Sequence, residues 1–159
     1  KCCAELENKP YIVLDDGWQK NACDAPWNIL REGKFYDMKL LADEMSAMGA
    51  RPGIWVRPLS DQKFEVVDID SDMRSKCNNK YLDASHPDVL EYVADLIKMI
   101  CDWGYTLIKH DFSTYDMLGF WGFERPKEFA KDGWAFYNRN KTTACFLQSF
   151  GWPRNSAWL

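Results

Sequence analysis

The sequence predicts an α/β fold in which short parallel strands alternate with helices, as in part of a (β/α)8 barrel. Three observations predict it. Short apolar runs, suited to strands buried on both faces, alternate with segments of helical period. Three successive runs end in charged groups: Asp15 and Asp16, then Arg57, then Lys109 and Asp111. Parallel barrels collect their site residues at the carboxyl ends of their strands. An open doubly wound sheet places ligands at the same end. That fold usually carries a glycine-rich phosphate loop, and no GxGxxG or Walker sequence occurs here.

The elements follow in order. Residues 1–9 read as the tail of a helix, which Pro10 breaks. Tyr11-Ile12-Val13-Leu14 is the first strand and runs into Asp15-Asp16-Gly17-Trp18. Residues 21–33, polar and interrupted by Pro26 and Gly33, form a loop. Asp37 is an N-cap. Met38, Leu41, Met45 and Met48 then fall at helical spacing as a core-facing stripe, and Gly49 stops the helix. Pro52-Gly53 leads into the second strand, Ile54-Trp55-Val56.

Residues 60–80 are polar, rich in Asp and without period, which predicts a long loop. Ser85-His86-Pro87-Asp88 starts the next helix, with Ser85 as N-cap. Its apolar face is Val89, Tyr92, Val93, Leu96, Ile97, Ile100 and Cys101. Gly104 ends it, and Tyr105-Thr106-Leu107-Ile108 follows at once as a buried strand finishing in Lys109, His110 and Asp111. An unpaired buried charge is costly, so these ends must meet water or a partner. Residues 120–129 read as an aromatic loop, 134–150 as a further helix and 145–159 as irregular.

The 159 residues suffice for one domain with a real core, and 47% of them are hydrophobic. A net charge of −4 with no basic block argues against a nucleic-acid partner. No apolar run approaches the ~20 residues that cross a membrane. The chain opens on Lys1 and shows no signal peptide, which reads as a processed or excised piece. That leans toward the cytoplasm without fixing a compartment. The six cysteines make no CxxC pair, so no zinc site is expected, and Cys101 reads as packing. The eight tryptophans fit a core of large rings or a platform for a flat ligand.

Carboxylates at the mouth of a barrel admit three chemistries. Asp side chains hold Mg²⁺ in metal-assisted enzymes. In glycosidases one carboxylate attacks the anomeric carbon while another exchanges the proton. In a purely structural arrangement Arg57 and Lys109 satisfy them. Lys109 and Asp111 project to one side of a strand, because side chains alternate. An ammonium there repels a divalent cation. It lowers the pKa of Asp111 and keeps it ionised, as a nucleophile requires.

At these residues a resemblance becomes specific. Tyr11 to Gln19 (YIVLDDGWQ), Arg51 to Val56 (RPGIWV), Asp83 to Pro87 (DASHP) and Ile108 to Phe112 (IKHDF) come in the order of the α-galactosidase clan. The chain most resembles the bacterial and plant α-galactosidase and raffinose synthase group of retaining glycoside hydrolases, over residues 4–144. The resemblance implies a (β/α)8 catalytic domain, of which residues 1–159 make about half. It implies action on terminal α-linked galactose, with an α-galactoside or oligosaccharide as substrate and no cofactor or metal. Asp111 would be the nucleophile that forms a glycosyl-enzyme, supported by Lys109. Asp15 and Asp16 would bind the hydroxyls that distinguish galactose, and Trp18 and Trp55 would line the ring pocket. Arg57 counts among the substrate-binding residues, at a position where the family often carries other polar groups.

The family's acid/base carboxylate lies on a later strand. Asp116, Glu124, Glu128 and Asp132 follow no apolar strand, and none is assigned that role. The expectation is therefore half a barrel with its nucleophile and without its proton donor, self-associating through open edges. The alternatives are a non-catalytic sugar-binding fragment, a raffinose synthase-type transglycosylase and a metal-dependent barrel enzyme.

Overall fold

The computed structural model describes residues 7–76 and 78–118. Six elements follow one another: β1 (Tyr11–Leu14), α1 (Met38–Ala47), β2 (Arg51–Val56), α2 (Pro87–Asp102), β3 (Leu107–His110) and α3 (Ser113–Leu118). The strands form one parallel sheet in the order β1-β2-β3. Val13 pairs with Gly53, and Gly53 with Leu107. A Cβ on Gly53 would meet Val13 Cγ2 at 3.0 Å and Leu107 Cδ2 at 3.2 Å. Glycine at the centre of the sheet thus lets the flanking side chains close over it. The fold is a small parallel sheet with helices, as the alternating pattern predicts.

The helices form where their signals stand. The Asp37 carboxylate accepts from the Leu40 N–H at 2.9 Å, and Gly49 follows α1 at φ 85°, a left-handed value that glycine takes without strain. Met38, Ala42 and Met45 of α1 are buried against Ile54, Trp55 and Val56 of β2, and Leu96 and Ile100 of α2 join the same core.

Several expectations need correction. The cap of α2 is His86, whose Nδ1 accepts from the Asp88 N–H, because the Ser85 hydroxyl donates to Asp83 instead. Met48 has left the helix as its C-cap and is exposed, so the stripe ends at Met45. Cys101 is exposed and free rather than packed. Tyr11, Ile12 and Val13 are exposed, and Leu107 and Ile108 only half-buried. Among the described residues β1 has a hydrogen-bonded neighbour on one side only, which leaves its apolar residues open. Residues 7–9 are not helical. Residues 1–6, and the loop, helix and irregular tail expected beyond residue 118, lie outside the described residues, as do Glu124, Glu128 and Asp132.

The long polar stretch 60–80 is held from within. Arg74 is buried, and its Nη2 donates to Asp61 Oδ2 at 2.5 Å. Nη2 also donates to the Val67 carbonyl, and Nε and Nη1 donate to the carbonyls of Asp68, Asp61 and Asn79. The Asp61 carboxylate in turn accepts from the N–H groups of Glu65, Val66 and Val67. One buried ion pair thereby satisfies much of a loop that has no ladder of its own.

Candidate active site

The parallel register brings the strand-end charges together. Asp15 follows Leu14, which is level with Ile54, and so comes level with Trp55, whose own partner on β3 is Lys109. The three neighbouring positions put Asp15, Trp55 and Lys109 on one face, with Asp111 two residues further along it. Lys109 Nζ lies 3.0 Å from Asp15 Oδ2 and 3.7 Å from Asp111 Oδ2. Asp15 and Asp111 therefore share one end of the sheet and one ammonium between them.

Asp111 is oriented at both oxygens. The Trp55 indole N–H donates to its Oδ2 at 3.0 Å, and the Phe112 backbone N–H donates to its Oδ1 at 2.9 Å. The Trp55 bond, with help from the Phe112 amide and Lys109, holds the carboxyl below the usual carboxylate range against a desolvation that opposes it. The Lys109 hydrogen bond does the same to Asp15, and Asp15 raises the ammonium of Lys109 in return. All three side chains are wet, with 65%, 43% and 41% of Asp15, Lys109 and Asp111 exposed. They are charged at neutral pH and open to a ligand.

Asp16 points into the following turn. Its Oδ1 accepts from Gln19 Nε2 and the Cys23 N–H, both at 2.7 Å, and its Oδ2 accepts from the Cys23 thiol at 3.0 Å. Burial works to raise its pKa, but these donors outweigh it and the net shift is downward. The same burial, with Asp16 alongside, pushes the Cys23 thiol up to about 11.

Three expected ligand contacts are placed otherwise. Trp18 is fully buried; its ring lies 5.9 Å from those of Trp27 and Trp103, and its indole N–H donates to the Trp55 carbonyl. Trp55 is also buried and reaches the site through its N–H, not a ring face. Arg57 is buried and committed: its Nε and Nη2 fork onto the Asp116 carboxylate at 2.8 and 2.6 Å, and Nη2 also donates to the Tyr81 hydroxyl. Asp116 is the partner that sequence reasoning missed, because a carboxylate on α3 carries no mark of facing β2. Burial pushes its carboxyl up to about 6 against the pull of Arg57.

Lys109 stands where a divalent cation bridging Asp15 and Asp111 would sit. No group of three or more His, Cys, Asp or Glu among the described residues is arranged to hold a metal ion. A groove of about 470 Å³ opens elsewhere, between the 26–29 loop and α2, and none of Asp15, Asp16, Lys109 and Asp111 lines it. Its walls are mainly apolar, with Asn28, Glu65, Tyr92 and Asp95 among the polar groups.

No family model matches the chain, and no curated protein matches it. Among solved structures it is similar to TtGalA, the α-galactosidase of Thermus thermophilus, in complex with p-nitrophenyl α-D-galactopyranoside. That match has 24% identity and a TM-score of 0.46 and covers 68% of this chain and 25% of the other. The same enzyme in complex with stachyose matches at 27% identity and a TM-score of 0.45, over 65% of this chain and 25% of that one. The chain thus spans about a quarter of the length of the chains it is similar to.

Proposed function

We propose that this chain is the nucleophile-bearing part of a retaining, α-galactosidase-like glycoside hydrolase built on a (β/α)8 barrel. The observation that carries the reading is the Asp15–Lys109–Asp111 constellation at the carboxyl end of parallel strands, with Asp111 fixed at both oxygens. The order of its motifs supports the same reading. An ionised carboxylate held still and open to solvent is what attack on an anomeric carbon requires.

In the proposed reaction Asp111 Oδ attacks C1 as the bond from C1 to the leaving oxygen breaks. The ester formed is then cleaved by water, which restores the carboxylate. Asp15 accepts from sugar hydroxyls, and Lys109 donates to them while stabilising Asp111. Asp16 keeps its turn in shape and offers what remains of Oδ2. The proton for the leaving oxygen comes from a carboxylic acid that we do not assign to any described residue.

The test therefore uses a donor that needs no acid. Fluoride departs from α-galactosyl fluoride without protonation. The chain should release fluoride from it, and Asp111→Asn should stop the release while leaving the urea midpoint unchanged. Release by the Asn variant at the wild-type rate would contradict the assignment of Asp111.

A further inference from the structure

The turn that presents Asp111 is strained and clamped, and the clamp is Arg57. Phe112 has φ 55°, the left-handed region that a bulky residue rarely adopts. That value accompanies the hydrogen bond by which its N–H turns back onto Asp111 Oδ1. Two contacts hold Phe112 there. Its ring lies on the Arg57 guanidinium, 4.4 Å from centroid to Cζ. Its carbonyl accepts from the Asp116 N–H at 2.8 Å, and the Asp116 carboxylate is the one that Arg57 grips. Arg57 itself is buried at the end of β2 and tied to Tyr81 by a hydrogen bond and by the face of its ring.

We infer that Arg57 is a positioning residue for Asp111, acting through the Phe112 ring and through Asp116 to aim the carboxylate. The side-chain hydrogen bonds of Arg57 run to protein groups, Asp116 and Tyr81. Arg57 fixes the two ends of the turn, and the Phe112 amide of that turn fixes Oδ1, while Trp55 holds Oδ2. A lysine in its place keeps the charge but loses both the fork and the flat face that Phe112 rests on. The catalytic consequence rests on the reading of Asp111 as nucleophile; the positioning itself does not.

The experiment reads the carboxylate directly, with no sugar present. ¹³C NMR of the labelled 159-residue chain follows the Asp111 carboxyl through its titration in Arg57→Lys, in Phe112→Leu and, as a control, in Arg74→Lys. Arg74 is likewise buried against a carboxylate and a phenylalanine ring, Asp61 and Phe64, but in the 60–80 stretch. Loss of the Phe112 amide bond should move the Asp111 midpoint upward, toward the ordinary value of 3.8, in the first two variants and not in the third. Should Arg57→Lys fail to fold, Phe112→Leu decides, since it leaves the ion pair whole. In the unmodified chain the Phe112 amide proton should titrate together with Asp111. A midpoint unmoved in folded Phe112→Leu, a midpoint moved equally by Arg74→Lys, or a Phe112 amide blind to the titration would each overturn the inference. Where α-galactosyl fluoride is turned over, Arg57→Lys should slow it by up to about 100-fold, the effect of a misplacement near 1 Å. Failure of that turnover in the wild type would count against the proposed function and leave the titration result standing.

Discussion

The molecule uses one device twice. At the end of β2, Arg57 pairs with buried Asp116 and carries the ring of Phe112 at φ 55°. In the 60–80 stretch, Arg74 pairs with buried Asp61 and carries the ring of Phe64 at φ 57°, 4.6 Å from centroid to Cζ. Each guanidinium neutralises a carboxylate that has left water and lies against a phenylalanine in a conformation costing about 1–3 kcal/mol. The two differ in what the remaining donors reach. Arg74 spends them on four backbone carbonyls, so it organises a loop. Arg57 spends its fork and third bond on side chains, Asp116 and Tyr81, so it ties β2 to the turn after β3. The type of partner, more than the charge, decides whether a buried arginine serves the fold or aims a site residue.

That difference can be broken experimentally. Arg74→Met should be the more damaging of the two truncations. It strands a buried carboxylate, a loss of about 3–5 kcal/mol, and also leaves carbonyls without a donor, at about 1–3 kcal/mol for each that stays dry. Arg57→Met should lose about 3–5 kcal/mol in urea denaturation, chiefly for the stranded Asp116. The double variants sharpen the contrast. Arg57→Met with Asp116→Leu should regain most of the loss, because both charges go together. Arg74→Met with Asp61→Leu should not, because the loop carbonyls, and the N–H groups that Asp61 served, remain unsatisfied. Equal rescue in the two pairs would erase the distinction.

The smallest effect should come from the exposed charges. Lys109→Met should raise the Asp111 titration midpoint, because the neighbouring cation favours the ionised form. High salt should reproduce part of that rise in the wild type by screening the same pair. The sign for stability follows from the depressed carboxyls. Whatever Asp15 and Asp111 contribute is present above the ordinary value of 3.8 and is lost as pH falls through their lower folded values. Lys109→Met should therefore leave the urea midpoint at neutral pH close to unchanged, since exposed pairs stabilise little.

Much of the site was legible because strand ends advertise themselves. Asp15, Lys109 and Asp111 each close an apolar run, and alternation alone puts Lys109 and Asp111 on one side. The register that joins them across β1, β2 and β3 needed the folded sheet. Arg57 stood out for the same reason, but its pairing was not legible, because a charge at a strand end looks ligand-facing until its buried partner is known. Asp116 follows no strand, and Asp61 and Arg74 lie in a stretch without period, so no pattern links them. Phe64 and Phe112 occupy left-handed positions where glycine would be the expected residue, and nothing local marks them. Trp18 was legible as important but not as buried: an indole beside two aspartates suits a ligand wall and a core equally well. His86 displaced Ser85 as a cap because the Ser85 hydroxyl had a nearer carboxylate.

The central claim is that Asp111 becomes bonded to sugar. The direct measurement is mass spectrometry of the chain after exposure to 5-fluoro-α-galactosyl fluoride, whose anomeric fluoride leaves without a proton and whose ring fluorine slows hydrolysis of the ester. We predict one fluorogalactosyl increment, mapped to Asp111 in the proteolytic peptides and lost in Asp111→Asn. An increment on Asp15 or Asp16, or none on the folded wild-type chain, would contradict the account.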